Sequence, residues 1–114
     1  YQFAEMIRAG GADYVQPSLT KIGGVAETMA TRKLAADAGV GVAHHAPYFG
    51  PGLLATMQVL ATAAEPEWLE WLFVGREAEL FKGFSVPEDG RIAVPDGPGL
   101  GHDPDPDVLA RYRV

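Results

Sequence analysis

The sequence contains no cysteine, and this absence excludes a disulfide framework and thiolate metal sites. It also lacks any apolar run that approaches the roughly 20 residues of a membrane-spanning helix. No basic, apolar segment of the signal-peptide type is present either. We therefore expect neither a membrane partner nor a secretory signal, and the cytoplasm is the default expectation for its location.

Basic residues are scarce as well. The 114 residues include nine lysines and arginines against 15 acidic residues, which gives a net charge of −6. Nucleic-acid binding needs clustered basic side chains to neutralise phosphates, so we expect no nucleic-acid partner. The length allows one domain at most.

The middle of the chain repeats a strand–turn–helix pattern. Tyr14, Gly41 and Trp68 lie near the starts of three predicted strands and are each 27 positions apart. A period of about 30 residues per βα unit is typical of a (β/α)8 barrel and indicates a parallel sheet. Three strands are too few to close a barrel. We therefore predict an α/β fold in which residues 1–74 form part of a TIM-type (β/α) barrel.

Helical spacing of apolar residues places helices around these strands. We predict a short helix over residues 2–9, a second over residues 25–39 and a third over residues 53–64. One apolar face of the second helix is formed by Val25, Met29, Leu34 and Ala38.

The last 40 residues break the repeat. Asp89-Gly90 lies between two short β-type runs and predicts a hairpin. A short helix follows, with Asp105 as its N-cap and Pro106 at its first position. We predict that residues 75–114 form a separate tail made of this hairpin and helix.

Candidate catalytic residues lie where the strands end, because reactive groups collect at the carboxyl ends of parallel strands. Ser18 ends the first strand, His44 and His45 end the second, and Glu70 lies late in the third. Alternation along the second strand places His45 on the inner face and His44 on the helix side. An inward histidine and glutamate could transfer a proton, although on spacing alone a hydrogen-bonded structural histidine is the more common interpretation.

Metal binding within this chain is not expected from these residues. His44 and His45 point to opposite faces of a strand and cannot easily chelate one ion. The aspartates of the tail lack the glycine and the final glutamate of a calcium loop. Two glycines in KIGG match neither the P-loop nor the dinucleotide-binding motif.

Four motifs follow one another along the chain: QPSLTKIGGVAET, GVGVAHHAPYFGPG, EWLEW and DGRIAVPDGPGLG. The similarity they carry runs over essentially the whole chain. Together they resemble the carboxyl-terminal part of the enolase superfamily, in the mandelate racemase and muconate lactonizing enzyme family. The resemblance implies that the three strands are the sixth, seventh and eighth of a modified barrel and that the tail returns toward a capping domain. It implies a fragment, whose cofactor Mg²⁺ is held by acids upstream of Tyr1.

The resemblance also implies roles for single residues. His45 matches the general base at the end of the seventh strand, and Glu70 matches the glutamate that donates a hydrogen bond to the enolate oxygen. Ser18 departs from the family, since its members carry Asp or Lys there. Serine can orient an imidazole but cannot stabilise imidazolium as a carboxylate does, so a catalytic role of Ser18 is uncertain.

Three further residues near the site are carried over. Lys21 matches a lysine before the paired glycines, and we expect a structural role at the start of the helix. His44 and Tyr48 are candidates for substrate contact, and for His44 a helix-side structural role is the more favoured of the two.

The implied reaction is abstraction of a proton α to a carboxylate, followed by reprotonation or loss of a β-hydroxyl. Dehydration of a sugar acid is our first expectation, because a histidine is present and a sixth-strand lysine is not. The alternatives are a racemase, epimerase or cycloisomerase of the same superfamily, and a catalytically inactive, binding-only protein. We expect the full-length protein to be a homo-oligomer and the isolated chain to be inactive and prone to aggregation.

Overall fold

The structure, a computed structural model, describes residues 2–83 and 86–114. Its elements are α1 (Gln2–Arg8), β1 (Tyr14–Val15), α2 (Val25–Asp37), β2 (Gly41–His44), α3 (Pro51–Leu60), β3 (Trp68–Leu69) and α4 (Pro106–Arg111). Helices alternate with strands as far as β3, which confirms the predicted α/β class. No helix within the described ranges is long and apolar enough to cross a bilayer.

The three strands form one sheet in the order β1-β2-β3, and both pairings are parallel. Tyr14 aligns with Gly41 as the 27-residue period predicts, but Trp68 aligns with Ala43, two residues further along β2 than that period places it. Staggered pairing of this kind is what a sheet needs in order to curve toward closure. The register therefore fits a sector of a barrel better than a flat sheet.

The third strand is shorter than predicted. Residues 68–74 read as one β-type run, yet only Trp68–Leu69 is strand. Its ladder partner β2 ends at His44, whose carbonyl accepts the last bond from the Glu70 N–H at 3.0 Å. A hydrogen-bonded ladder cannot continue where the partner strand has ended. The strand prediction for residues 70–74 is therefore wrong for this chain.

Two apolar clusters pack against the sheet. The first joins α1, β1, α2 and β2 through Ile7, Val15, Ala35 and Val42. The second, formed by Ala46, Leu53 and Met57, lies under α3 and receives Tyr48, Leu69, Trp71 and Ile92. The second cluster anchors the loop after β2 and so fixes the position of that strand's carboxyl end.

The buried face of α2 is polar, which corrects the prediction from the sequence. The apolar residues Val25, Met29 and Leu34 are exposed, whereas Thr28, Thr31, Arg32 and Ala35 are buried. Both threonine hydroxyls donate to carbonyls one turn earlier, those of Gly24 and Glu27. Because these side chains are hydrogen-bonded, they can be buried without an unpaired polar group.

The tail partly follows its prediction. Among the described residues the hairpin has one antiparallel bridge, between Glu88 and Arg91, across a turn in which Asp89 and Gly90 both have positive φ, at 49° and 73°. Phe84 and Ser85, in the first predicted strand of this hairpin, lie outside the described residues. A separate unit over residues 75–114 stays a prediction.

The last helix begins as predicted. Asp105 is the N-cap of α4, and its carboxylate accepts hydrogen bonds from the N–H groups of Asp107 and Val108. Pro106 occupies the first turn, where a missing N–H costs nothing. Capping is a local effect of sequence, which is why it could be read before the fold was known.

Candidate active site

The carboxyl ends of the three strands lie side by side and carry the candidate residues. Backbone bonds continue past the regular strands: the His45 N–H donates to the carbonyl of Pro17 at 3.0 Å, and the Glu70 N–H donates to that of His44 at 3.0 Å. These bonds fix the backbone that carries His45 relative to both neighbouring strands. The arrangement places His45 and Glu70 within reach of each other.

The imidazole of His45 lies between two opposite charges. Its Nδ1 is 2.8 Å from Glu70 Oε2, and its Nε2 is 3.3 Å from the ammonium nitrogen of Lys21. The His45 and Glu70 side chains remain 31% and 39% exposed, so a small molecule can reach them. A histidine with a carboxylate at one ring nitrogen is a common arrangement for proton transfer.

Ser18 lies at the same end of the sheet but does not join this group. Its side chain is buried, and its hydroxyl is 3.4 Å from that of Thr20. Within the described part of the chain, its side-chain hydrogen bond is thus with Thr20 and not with His45. This position favours a local turn role for Ser18, and a catalytic role stays a prediction.

His44 points away from His45, on the helix side of the sheet. It is fully buried, and its Nε2 is 2.7 Å from Glu67 Oε2. The other carboxylate oxygen of Glu67 accepts from Arg32 Nε at 2.8 Å, and Arg32 Nη1 donates to the carbonyl of Val59. We call Arg32, Glu67 and His44 the buried network. Full burial here favours the helix-side role of His44 over substrate contact.

Burial lowers the pKa of His44 below its ordinary value of 6.5, and the neighbouring Arg32 guanidinium lowers it too. The hydrogen bond with Glu67 opposes this by favouring the charged form, but burial is the larger effect. His44 is therefore neutral in the folded protein near pH 7.

This shift makes stability depend on pH. Because the folded-state pKa of His44 lies below its unfolded value, the unfolded chain binds more protons as the pH falls below 6.5. The stability that His44 contributes is complete above pH 6.5 and is lost as the pH falls toward its folded-state pKa. In urea unfolding of the full-length protein between pH 8 and 5, we expect H44N to lose less stability than the native protein. Equal losses in the two proteins would contradict this.

Tyr48 follows β2 and packs against the second apolar cluster. Its hydroxyl donates to the carbonyl of His45 at 3.2 Å. This contact closes the loop after the strand over the backbone of the candidate base. Substrate contact by Tyr48 stays a prediction.

The described residues do not provide a metal site. No group of three or more His, Asp or Glu side chains in ranges 2–83 and 86–114 is arranged to hold an ion. The carboxylates of Glu67 and Glu70 are already engaged, Glu67 by Arg32 and His44, and Glu70 by His45. The described residues therefore do not form a site for a resident Mg²⁺ ion.

Two functional contacts were not found from the sequence. The approach of Lys21 to His45 depends on the turn after Ser18, whose backbone bonds, from the Lys21 and Ile22 N–H groups to the Ser18 carbonyl, fold the chain back. The ion pair between Arg32 and Glu67 joins residues 35 positions apart. A polar residue on an amphipathic helix gives no signal for a partner so distant.

Polar side chains at the carboxyl ends of neighbouring parallel strands occupy the place where (β/α) barrel enzymes carry their active sites. The family described as "Enolase C-terminal domain-like" matches residues 1–108. The chain belongs to this family.

Individual relatives agree with this assignment. Arabinonate dehydratase of Saccharolobus solfataricus is 28% identical over an alignment 115 positions long, which covers 99% of this chain and 31% of the relative. A proposed racemase from Roseobacter denitrificans superposes with a TM-score of 0.83 at 30% identity, covering 96% of this chain and 32% of that one. An enolase from Pantoea ananatis with bound D-gluconate and Mg gives a TM-score of 0.81 at 25% identity, with 96% and 27% covered. The chain thus spans about a third of the length of these relatives.

Proposed function

We propose that this chain is the carboxyl-terminal third of an enzyme that removes the proton α to the carboxylate of a sugar acid and dehydrates it. The observation that carries the proposal is the contact between His45 and Glu70 at the carboxyl ends of β2 and β3, with both side chains open to solvent. Support for the substrate class comes from the arabinonate dehydratase and from the gluconate-bound enolase.

His45 is the proposed base. Its imidazole takes the α-proton, and the electron pair of the broken C–H bond passes to the substrate's carboxylate carbon to give an enediolate. The enediolate then expels the β-hydroxyl, which takes the proton from the His45 imidazolium and leaves as water, and the resulting enol becomes a 2-keto-3-deoxy acid when its hydroxyl proton moves to C3. Histidine suits both proton steps because it titrates near neutral pH.

Glu70 supports the base through Nδ1. An ionised carboxylate 2.8 Å from this nitrogen favours the imidazolium that forms when His45 takes up the proton. Other members of the family are expected to hold their histidine with an acid at the position of Ser18, so Glu70 replaces that charge from the opposite strand. Donation of a hydrogen bond from Glu70 to the enolate oxygen requires the protonated carboxyl in place of the ionised one, and it stays a separate prediction.

The proposed proton steps do not involve a metal ion. The gluconate-bound enolase carries Mg, and we propose that the full-length protein also requires it, with ligands outside this chain. In this proposal the described residues, 2–83 and 86–114, supply the groups for the proton steps and the buried network.

The test is a substrate panel with the full-length protein. It is incubated with Mg²⁺ and arabinonate, gluconate or galactarate, and 2-keto-3-deoxy acid and epimerised acid are both measured. Keto acid supports the proposed dehydratase. Epimerised acid without keto acid supports a racemase, which the relative from Roseobacter denitrificans makes the second candidate. Absence of both products with every acid, in protein shown to bind Mg²⁺, would contradict an enzyme acting on this substrate class.

A further inference from the structure

We propose that Lys21 is a positioning residue that holds His45 in its neutral form with the lone pair on Nε2. This inference rests on the proposed function, because it concerns the same base. The observation is the 3.3 Å distance between Lys21 Nζ and His45 Nε2, on the side of the ring opposite Glu70.

Donor and acceptor chemistry fixes the tautomer. An ammonium group has three donors and no acceptor, so Nε2 can pair with Lys21 only through its lone pair. The ring proton then lies on Nδ1, which is 2.8 Å from Glu70 Oε2 in an ion-pair contact without hydrogen-bond geometry. Lys21, His45 and Glu70 thus form a line of positive, neutral and negative groups.

The charges determine what each partner contributes. Glu70 favours imidazolium, whereas a cation at Nε2 disfavours it. If both ring nitrogens carried protons, Nε2 would present a donor to the donors of Lys21. The lysine therefore favours the tautomer whose lone pair is on Nε2.

Lys21 also has a reason to leave Nε2 when substrate arrives. The carboxylate of a sugar acid offers the ammonium a charged acceptor, and charge-assisted bonds are stronger than the bond to a neutral imidazole. Movement of the ammonium toward that carboxylate exposes the Nε2 lone pair to the α-proton. The exposed position of Lys21 at the mouth of the site leaves room for this movement.

The experiment measures the protonation of His45 directly. The full-length protein is labelled with 15N-histidine, the His45 signals are assigned with H45N, and spectra are recorded at pH 7 without substrate. We expect an unprotonated Nε2 and a protonated Nδ1 in the native protein. In K21M we expect the fraction of rings with the proton on Nε2 to rise by about twofold or more, because no ammonium then pairs with the Nε2 lone pair.

Two variants make the result specific. K21R retains a cation and should keep the native spectrum. K33M removes the same charge from an exposed lysine of α2 that pairs with Asp37, and it should also keep the native spectrum. A native Nε2 that is already protonated, or a K21M spectrum identical to the native one, would overturn the role of Lys21. Since the spectra need no turnover, this outcome is distinct from a failure of the dehydratase proposal.

Discussion

Replacement of Glu67 by alanine is expected to destabilise the full-length protein by about 3–5 kcal/mol, because it breaks a buried ion pair and leaves a charge without its partner. Arg32 and Glu67 have side chains only 10% and 14% exposed, and the same carboxylate also receives His44. The variant E67A leaves the guanidinium of Arg32 with neutral acceptors only, the Val59 carbonyl, the Thr62 hydroxyl and the Met29 sulfur. Urea unfolding at pH 7.5 measures the loss.

The matched control is D37A. It breaks the pair between Lys33 and Asp37, whose side chains are 75% and 61% exposed. An exposed pair four residues apart on a helix contributes only about 0.3–0.5 kcal/mol. If E67A does not fold, E67Q replaces it, since the amide keeps one acceptor oxygen and should lose less stability. Losses of similar size in the Glu67 variants and in D37A would show that the buried network has no special role.

Replacement of His45 by asparagine is expected to lower the rate of keto-acid formation by about 10²- to 10⁴-fold, the range that a positioned general base contributes. Asparagine keeps polar atoms near Glu70 and Lys21 but cannot accept a proton at neutral pH. The expected change is in kcat, with KM altered little, because binding of the acid does not depend on the base. Steady-state kinetics with the preferred acid from the substrate panel make the comparison.

H102N is the control for this prediction. His102 lies in the loop before α4 and is not one of the candidate site residues. It should retain the native rate. An H45N protein that unfolds at the native urea concentration and yet keeps more than a tenth of the native rate would show that another group is the base.

Much of the site's framework follows from local sequence rules. Alternation along β2 predicts that His44 and His45 lie on opposite faces of the sheet. In the structure His44 is buried on the helix side, and His45 lies at the strand end beside Glu70. The cap at Asp105 was equally readable. These features depend on residues next to each other in the chain, which is why a sequence can predict them.

Other features depend on partners that a sequence does not reveal. The length of β3 is set by where β2 ends, and the buried face of α2 is set by Glu67, far along the chain from Arg32. The Lys21 contact depends on a turn that brings its side chain back over the sheet. The contact between the Ser18 and Thr20 hydroxyls, 3.4 Å apart, was likewise not predicted from the sequence.

The most direct test of the account is exchange of the substrate α-proton with solvent. The full-length protein is incubated with Mg²⁺ and a sugar acid in D₂O, and loss of the α-proton signal is followed by NMR. We predict exchange of the α-proton, or 2-keto-3-deoxy acid carrying deuterium at C3, with the native protein and with K33M, and neither with H45N. Turnover of the acid with full retention of the α-proton, or exchange that persists in H45N, would contradict the claim that His45 removes this proton.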